Sequence, residues 1–275
     1  MENISAEASR EYIETEIFGT SALDLSDRQL SKVPEAVTDL KDLAKLKLDR
    51  NNLTELPRSI NKLKNLKWLY LEENQLTYLP DSIGDLKELW MLTVSKNQLS
   101  AVPTCVQHLK KLEVLYLDGN HLTDLPEEFG DLKELRELSV SNNQLSAVPT
   151  CVQQLNKLRK LFLAGNHLTD LPEWIGDLKE LRVLTLTNNL LSAIPTSVKH
   201  LKKLEMLFLH GNQLTDFPEW IIGDLKGLPL LDVSDNPFTV DGMRKLLKVK
   251  DKKKGKVYMP VYFTGGYNLR YFWLL

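Results

Sequence analysis

The sequence predicts an α/β solenoid: a horseshoe with a concave parallel β-sheet and convex short 3₁₀ or helical turns, capped at both ends. Three observations predict it. Leucine supplies 55 of the 275 residues, too large a share for an ordinary mixed core. Proline stands at 34, 57, 80, 103, 126, 149, 172, 195 and 218, each 23 residues from the last. Asparagine keeps the same period at Asn51, Asn74, Asn97, Asn120, Asn143, Asn166, Asn189 and Asn212, then at Asn236 after one inserted residue within 219–223. A fixed period between 20 and 50 residues is the signature of stacked structural repeats.

Each part of the unit LxxLxLxxNxLxxLPxxIxxLxx has a mechanical reason. Around Leu115 and Leu117 the leucines alternate with Val114 and Tyr116, so a short strand turns leucines inward and the other side chains outward. One strand per repeat stacks into a parallel sheet with rungs about 4.8 Å apart. The chain must then turn sharply, and an inward asparagine amide can satisfy backbone groups left unpaired by the turn, so the asparagine column reads as a structural ladder. After each proline, apolar residues three apart, as in Val106, Leu109 and Leu112, suit a 3₁₀ or short helical turn. Counting a degenerate first unit, Leu23 to Pro34 with Arg28 in the asparagine position, there are about ten rungs over residues 20–238. That makes a concave face roughly 45 Å long. A lone repeat cannot bury its leucines, so the array needs caps. An amphipathic helix over 1–19, through Ala6, Ile13 and Ile17, is the candidate N-terminal cap. Residues 239–256 are assigned to a C-terminal cap helix, beginning near Val240, and a basic linker; residues 257–275 are an aromatic tail.

Composition narrows the function. Charged residues make up 26% and the net charge is −2, which argues against a disordered chain and against a dedicated nucleic-acid binder. No apolar run reaches the roughly 18 residues that a membrane span needs. Residues 1–20 lack the apolar stretch of a signal peptide. Unless a leader has been removed, the chain reads as cytoplasmic, and Cys105 and Cys151, two rungs or about 10 Å apart, lie outside disulfide reach. The residues at the cysteine position in other rungs include Ser59, Glu128 and Trp174, so that site reads as outer surface.

These motifs identify the leucine-rich repeat, and the LPxxI form resembles the repeats of intracellular Ras-pathway scaffolds, Scribble-like polarity proteins and leucine-rich-repeat proteins that carry death domains. A second period is present: residues 103–126 recur almost unchanged at 149–172, so the duplicated unit was a pair of repeats, 46 residues long. Phrases such as NNQLSAVPTCVQ and GNHLTDLPEWIGDLKEL look most like leucine-rich-repeat-only proteins of lancelets, families linked to innate immunity. The resemblance spans about residues 20–240 and implies the fold far more strongly than any function. The cysteine-rich caps of secreted members are absent, and no death domain or kinase follows the array, so the chain reads as repeat-only or as a piece of something longer.

In a solenoid the inward positions are committed to the core, so a ligand must use outward strand positions. One outward column reads Lys47, Tyr70, Thr93, Tyr116, Ser139, Phe162, Thr185, Phe208, Asp232; the other reads Lys45, Trp68, Met91, Val114, Glu137, Lys160, Val183, Met206, Leu230. The candidate ligand-binding residues are therefore Trp68, Tyr70, Met91, Val114, Tyr116, Phe162, Val183, Met206 and Phe208, because exposed apolar and aromatic patches mark interaction sites. Alternating aromatics also have a blander reading, as a by-product of the two-repeat duplication with rings packed along the sheet. Asp49, Glu72, Glu73 and Asp118 line the strand exits of early rungs, where later rungs offer Ala164, Thr187 and His210, so a partner with a basic part and an apolar part fits.

No enzymatic constellation emerges from the spacing, no phosphate-binding glycine motif is present, and no cofactor is expected. His121 and His167 stand two rungs apart, too far to share a metal, so no metal is expected either. Residues 248–256, KVKDKKKGK, carry +5 and leave −7 for the rest. They read as a solvated linker, or as a contact to an acidic membrane surface or bacterial envelope polymer. Residues 257–275 hold seven of the 21 aromatics, and two apolar runs around Gly265-Gly266 suit a β-hairpin that caps the array or meets a second copy. The expected function is non-enzymatic recognition through the concave face, of a microbial component such as lipopolysaccharide or of a protein, with homodimerisation through that face or the tail as a further option. The alternative is a cytosolic scaffold for a small GTPase or phosphatase.

Overall fold

A computed structural model describes residues 21–218, 220–221, 228–245 and 256–258. The expected helix over 1–19, most of the basic linker and all but the first two residues of the aromatic tail lie outside them. The chain divides into two compact units: Met1–Ser139 with Pro149–Leu155, and Val140–Val148 with Asn156–Leu275.

In the first unit, three-residue strands β1 (Ala22–Asp24), β2 (Lys45–Lys47), β3 (Trp68–Tyr70), β4 (Met91–Thr93), β5 (Val114–Tyr116) and β6 (Glu137–Ser139) pair in sequence order, all parallel. The register is one repeat per rung, Leu23↔Leu46↔Leu69↔Leu92↔Leu115↔Leu138, and these leucines are buried. The second unit repeats the scheme with β7 (Lys160–Phe162), β8 (Val183–Thr185), β9 (Met206–Phe208), β10 (Leu230–Asp232) and β11 (Lys256–Tyr258). The residue inserted after Pro218 leaves the register intact, since Leu207 still opposes Leu231. Strand β11 lies parallel to β10, so Val257 and Tyr258, the start of the aromatic tail, continue the ladder as a further rung.

The periodic prolines from Pro34 to Pro195 each open a five-residue 3₁₀ turn, as at Asp81–Asp85 after Pro80. Ile83 N–H donates to Pro80 O at 2.9 Å, Leu86 N–H to Ile83 O at 3.1 Å, and Leu89 N–H to Leu86 O at 2.9 Å. Three-residue bonding puts Ile83, Leu86 and Leu89 on one side, and all three are buried.

The strand-to-turn corner depends on two adjacent positions. The residue before each ladder asparagine is left-handed, from Asp235 at φ 52° to Gly211 at φ 65°. At Gly165 this combines with crowding, because a Cβ there would stand 2.2 Å from Asn142 Oδ1. The asparagine then serves the corner. Asn120 Oδ1 accepts from Leu99 N–H at 2.9 Å, and its Nδ2 donates to Val94 O and Leu117 O at 3.0 Å and to Asp118 O at 3.3 Å. Asn51, Asn74, Asn97, Asn166, Asn189, Asn212 and Asn236 each donate in the same way to the carbonyl of the previous rung. Asn143 donates to Val140 O at 3.1 Å and Ser141 O at 3.2 Å.

In the segment expected to hold the C-terminal cap, residues 240–245 are helical. Thr239 caps them: its Oγ1 accepts from Gly242 N–H at 3.1 Å. Lys245 Nζ pairs with Asp216 at 2.7 Å, and Phe238 meets Phe217 edge-on, so this segment is anchored to the preceding rung.

One expectation needs correcting. The cysteine position does not lie uniformly on the outer surface: Cys151 is 1% exposed and Ser197 is buried, while Cys105 is half-buried. The 3₁₀ turns pack closely enough against one another to cover it. Burial pushes the Cys105 thiol up and the Cys151 thiol up to about 12. Both cysteines are free.

Candidate outward-face binding site

The strand register decides which outward side chains are neighbours. In the first unit Trp68 opposes Met91, Met91 opposes Val114, Tyr70 opposes Thr93, and Thr93 opposes Tyr116. Trp68, Tyr70, Met91 and Tyr116 are half-buried. Trp68 packs edge-on against Trp90, with ring centroids 6.3 Å apart at 67°. Lys45 Nζ lies 5.4 Å from the centre of the Tyr70 ring, within cation–π range. Tyr116 donates its hydroxyl to Glu137 Oε2 at 2.7 Å; burial first, and then this carboxylate, push its pKa up.

Val114 departs from the expectation of a solvent-facing residue. It stands on the outward side but is only 6% exposed, lying in register between Met91 and Glu137, whose side chain is drawn to Tyr116. Thr93 and Ser139 are buried for a related reason, being short side chains set beside tyrosine.

The acidic strand exits are largely engaged. Lys96 Nζ pairs with Glu72 at 3.1 Å and Glu73 at 2.6 Å. Asp118 accepts from the hydroxyls of Ser139 and Ser95. Asp49 accepts from Glu72 N–H at 2.8 Å; burial outweighs this bond and, with the negative charge of Glu72, holds its pKa above the usual carboxylate value. Lys47 pairs with Asp24, and Arg50 with Asp27 through two bonds.

The second unit presents a more apolar face. Lys160 opposes Val183, Val183 opposes Met206 and Met206 opposes Leu230; in the other column Phe162, Thr185, Phe208 and Asp232 follow one another. Met206 is 38% exposed, and Phe162, Val183, Phe208 and Leu230 are half-buried. At the edge, His210 Nδ1 and Ser234 Oγ share a hydrogen bond of 2.7 Å, and Ser234 Oγ donates to Asp232, fixing the polar rim of the patch.

Sequence reasoning missed Trp90, 37% exposed and directly before β4. Its column otherwise holds residues such as Lys67, Glu113, Arg136 and Arg159, and a tryptophan among them was the available signal. It also missed that Thr93 Oγ1 is buried without a hydrogen-bond partner, which spacing cannot reveal. Among the described residues no three His, Cys, Asp or Glu side chains are grouped to hold a metal, and no helix is long and apolar enough to cross a membrane.

The family described as "Leucine-rich repeat region" matches residues 61–162 and 146–251. Comparison with curated proteins gives no match. Among solved structures, a leucine-rich-repeat protein of Leptospira interrogans is 29% identical with a TM-score of 0.70, over 92% of this chain and 76% of that one. The leucine-rich-repeat ectodomain of the plant membrane receptor kinase GASSHO1/SCHENGEN3 from Arabidopsis thaliana, in complex with CASPARIAN STRIP INTEGRITY FACTOR 2, is 27% identical with a TM-score of 0.62, over 82% of this chain and 31% of that one. The plant peptide hormone receptor RGFR1 in complex with RGF2 is 27% identical with a TM-score of 0.58, over 79% of this chain and 44% of that one. This chain thus spans less than half the length of either receptor structure. The family match covers well over half of the sequence and coincides with the 23-residue rungs, so the chain belongs to the leucine-rich-repeat family.

Proposed function

We propose that this is a non-enzymatic recognition protein that takes a protein ligand on the outward face of its sheet. The observation that carries the reading is the patch of Phe162, Val183, Met206, Phe208 and Leu230: these side chains are brought together by register, none is needed for the leucine core, and Met206 is 38% exposed. Aromatic and methionine side chains are enriched at the centres of protein interfaces. The receptor structures with bound partners support the same use of the fold. Within this reading, the likeness of the repeats to lancelet families favours innate-immune recognition of a microbial component. Two free cysteines favour a reducing, cytoplasmic setting. A signalling scaffold for a small GTPase or phosphatase is the competing role.

The test compares wild type with a Phe162→Ser/Phe208→Ser variant for binding to bacteria, to lipopolysaccharide and to host proteins. Both rings face away from the core, so circular dichroism should be unchanged and the melting temperature nearly so. Binding should be lost. Capture of bacteria or lipopolysaccharide supports immune recognition, whereas affinity for a host GTPase or phosphatase alone supports the scaffold. Undiminished binding by the variant rules out this face.

A further inference from the structure

Thr93 is unlike the other residues of the outward columns. It is 5% exposed, its Oγ1 has no hydrogen-bond partner, and it lies in register between Tyr70 and Tyr116. A buried hydroxyl without a partner is unfavourable, and such groups in native structures call for an explanation. Ser139, the matching small residue beyond Tyr116, has none of this character, because its hydroxyl is spent on Asp118.

The surroundings suit a cation. Asp49, Glu72, Glu73 and Asp118 stand at the exits of β2, β3 and β5 and Glu137 on β6, with Lys96 paired to Glu72 and Glu73 and Lys45 over the Tyr70 ring. Lys47 and Arg50 are already matched by Asp24 and Asp27. The Tyr70 ring holds one cation, since Lys45 Nζ lies 5.4 Å from its centre. Tyr70 and Tyr116 are two rungs apart, about 9.6 Å by strand spacing. Once the side chains that now cover Thr93 part and the rings stand at that spacing, a flat cation midway lies about 4.8 Å from each, inside the roughly 6 Å range of cation–π attraction. The Tyr116 hydroxyl donates to Glu137, which leaves its oxygen able to accept.

We propose that the slot between Tyr70 and Tyr116, floored by Thr93, receives the guanidinium of an arginine in a basic, apolar segment of the protein ligand. This rests on the reading of the outward face as the ligand surface. The guanidinium stacks between the two rings, which part to admit it, and donates to Thr93 Oγ1 while the flanking carboxylates supply the counter-charge. Guanidinium suits the slot better than ammonium because it is planar and weakly hydrated.

The probe is a fluorescein-labelled peptide of alternating leucine and arginine, with a control in which citrulline, neutral and of the same shape, replaces arginine. Fluorescence anisotropy should show the arginine peptide binding at least about tenfold more tightly than the citrulline peptide. Thr93→Val should weaken the arginine peptide by about tenfold, the cost of losing a hydrogen bond from a charged donor. In the free protein the same change should leave the melting temperature unchanged or raise it, since an unpaired hydroxyl is removed. Asp118→Asn should also weaken binding. Equal affinity for both peptides, unaltered binding by Thr93→Val, or a lowered melting temperature with intact binding each overturns the slot. If Thr93→Val is neutral while Phe162→Ser/Phe208→Ser abolishes binding of bacteria, lipopolysaccharide or a host protein, the slot falls and the outward-face reading stands. If Thr93→Val and Asp118→Asn weaken the arginine peptide while Phe162→Ser/Phe208→Ser changes nothing, the slot stands and the patch around Phe162 and Phe208 is not the ligand surface.

Discussion

Replacing Asn120 with alanine tests whether the ladder holds the rungs together through its amide. The Oδ1 atom is the acceptor for Leu99 N–H, at 2.9 Å, and Leu99 is fully buried, so alanine leaves this donor without its acceptor. That alone costs about 1–3 kcal/mol. The three carbonyls suffer less. Val94 O keeps the Asn97 amide at 3.1 Å, and Asp118 O keeps Lys96 N–H at 2.6 Å. Adding about 1 kcal/mol for the lost donations gives a total of roughly 3 kcal/mol. At about 2–4 °C per kcal/mol for a chain of this size, the melting temperature should fall by roughly 6–12 °C, read by circular dichroism. Asn120→Asp is the sharper variant. Its carboxylate still accepts from Leu99 N–H but faces Val94 O, Leu117 O and Asp118 O with no hydrogen to offer, so at neutral pH it should be less stable than alanine. Those carbonyls favour the protonated acid and raise its pKa in the folded state. Its stability should therefore be best at acid pH and fall as pH rises through that value. An aspartate variant as stable as wild type, or an alanine variant within about 0.5 kcal/mol of it, would refute the account.

Two further outcomes follow from the same corners and turns. Gly165→Ala adds a Cβ 2.2 Å from Asn142 Oδ1 at φ 64°, whereas Gly119→Ala at φ 62° meets nothing nearer than Lys96 Cγ at 3.4 Å. Both should lose about 1–2 kcal/mol to the left-handed backbone, and only Gly165→Ala should lose more in chemical denaturation; equal losses would show that the Asn142 contact relaxes freely. In the native protein a thiol reagent should modify half-buried Cys105 well before Cys151, which is buried and whose thiol is pushed up to about 12. Equal rates would mean that the turn around Cys151 opens readily, and the two should equalise only in denaturant.

The fold was legible because each rung states its geometry many times over. The prolines mark the 3₁₀ turns, the alternation around Leu115 and Leu117 marks a strand, and the period fixes the register. What spacing could not show was how far a neighbour covers an outward residue. Val114 and Thr93 alternate correctly with the core leucines, yet both are buried, since coverage depends on the side chains of the adjoining rungs. The pairing of Glu72 and Glu73 with Lys96 was invisible for the same reason: the partners are about one repeat apart in sequence and adjacent only after stacking. Cys151 misled because unlike residues at one column position suggested an open surface, whereas cover differs from rung to rung, Cys151 and Ser197 being buried and Cys105 half-buried.

The 46-residue period has a steric counterpart in the 3₁₀ turns. From Gly84 onward every second 3₁₀ turn carries glycine, at Gly84, Gly130 and Gly176, where the turns between carry Gln107 and Gln153. Gly176 is the strictest case: an added Cβ would stand 2.4 Å from Ser197 O, a backbone atom that cannot swing aside. At Gly130 the nearest obstacle is the exposed Gln154 side-chain amide, 2.7 Å away, which can shift by giving up its 3.3 Å bond from Lys133 Nζ, with Gln154 Cβ next at 3.1 Å. Gly176→Ala should therefore cost about 1–3 kcal/mol by forcing two turns apart. Gly130→Ala should be near neutral, or stabilising by up to about 1 kcal/mol through the unfolded chain. Equal destabilisation in chemical denaturation would mean that the glycines serve the local turn, not its neighbour. If the difference appears, packing explains why large and small residues alternate from turn to turn. It does not explain why Thr93 lies unpaired between two tyrosines while Ser139 is paired, and it is in such differences between chemically similar positions that function must be sought.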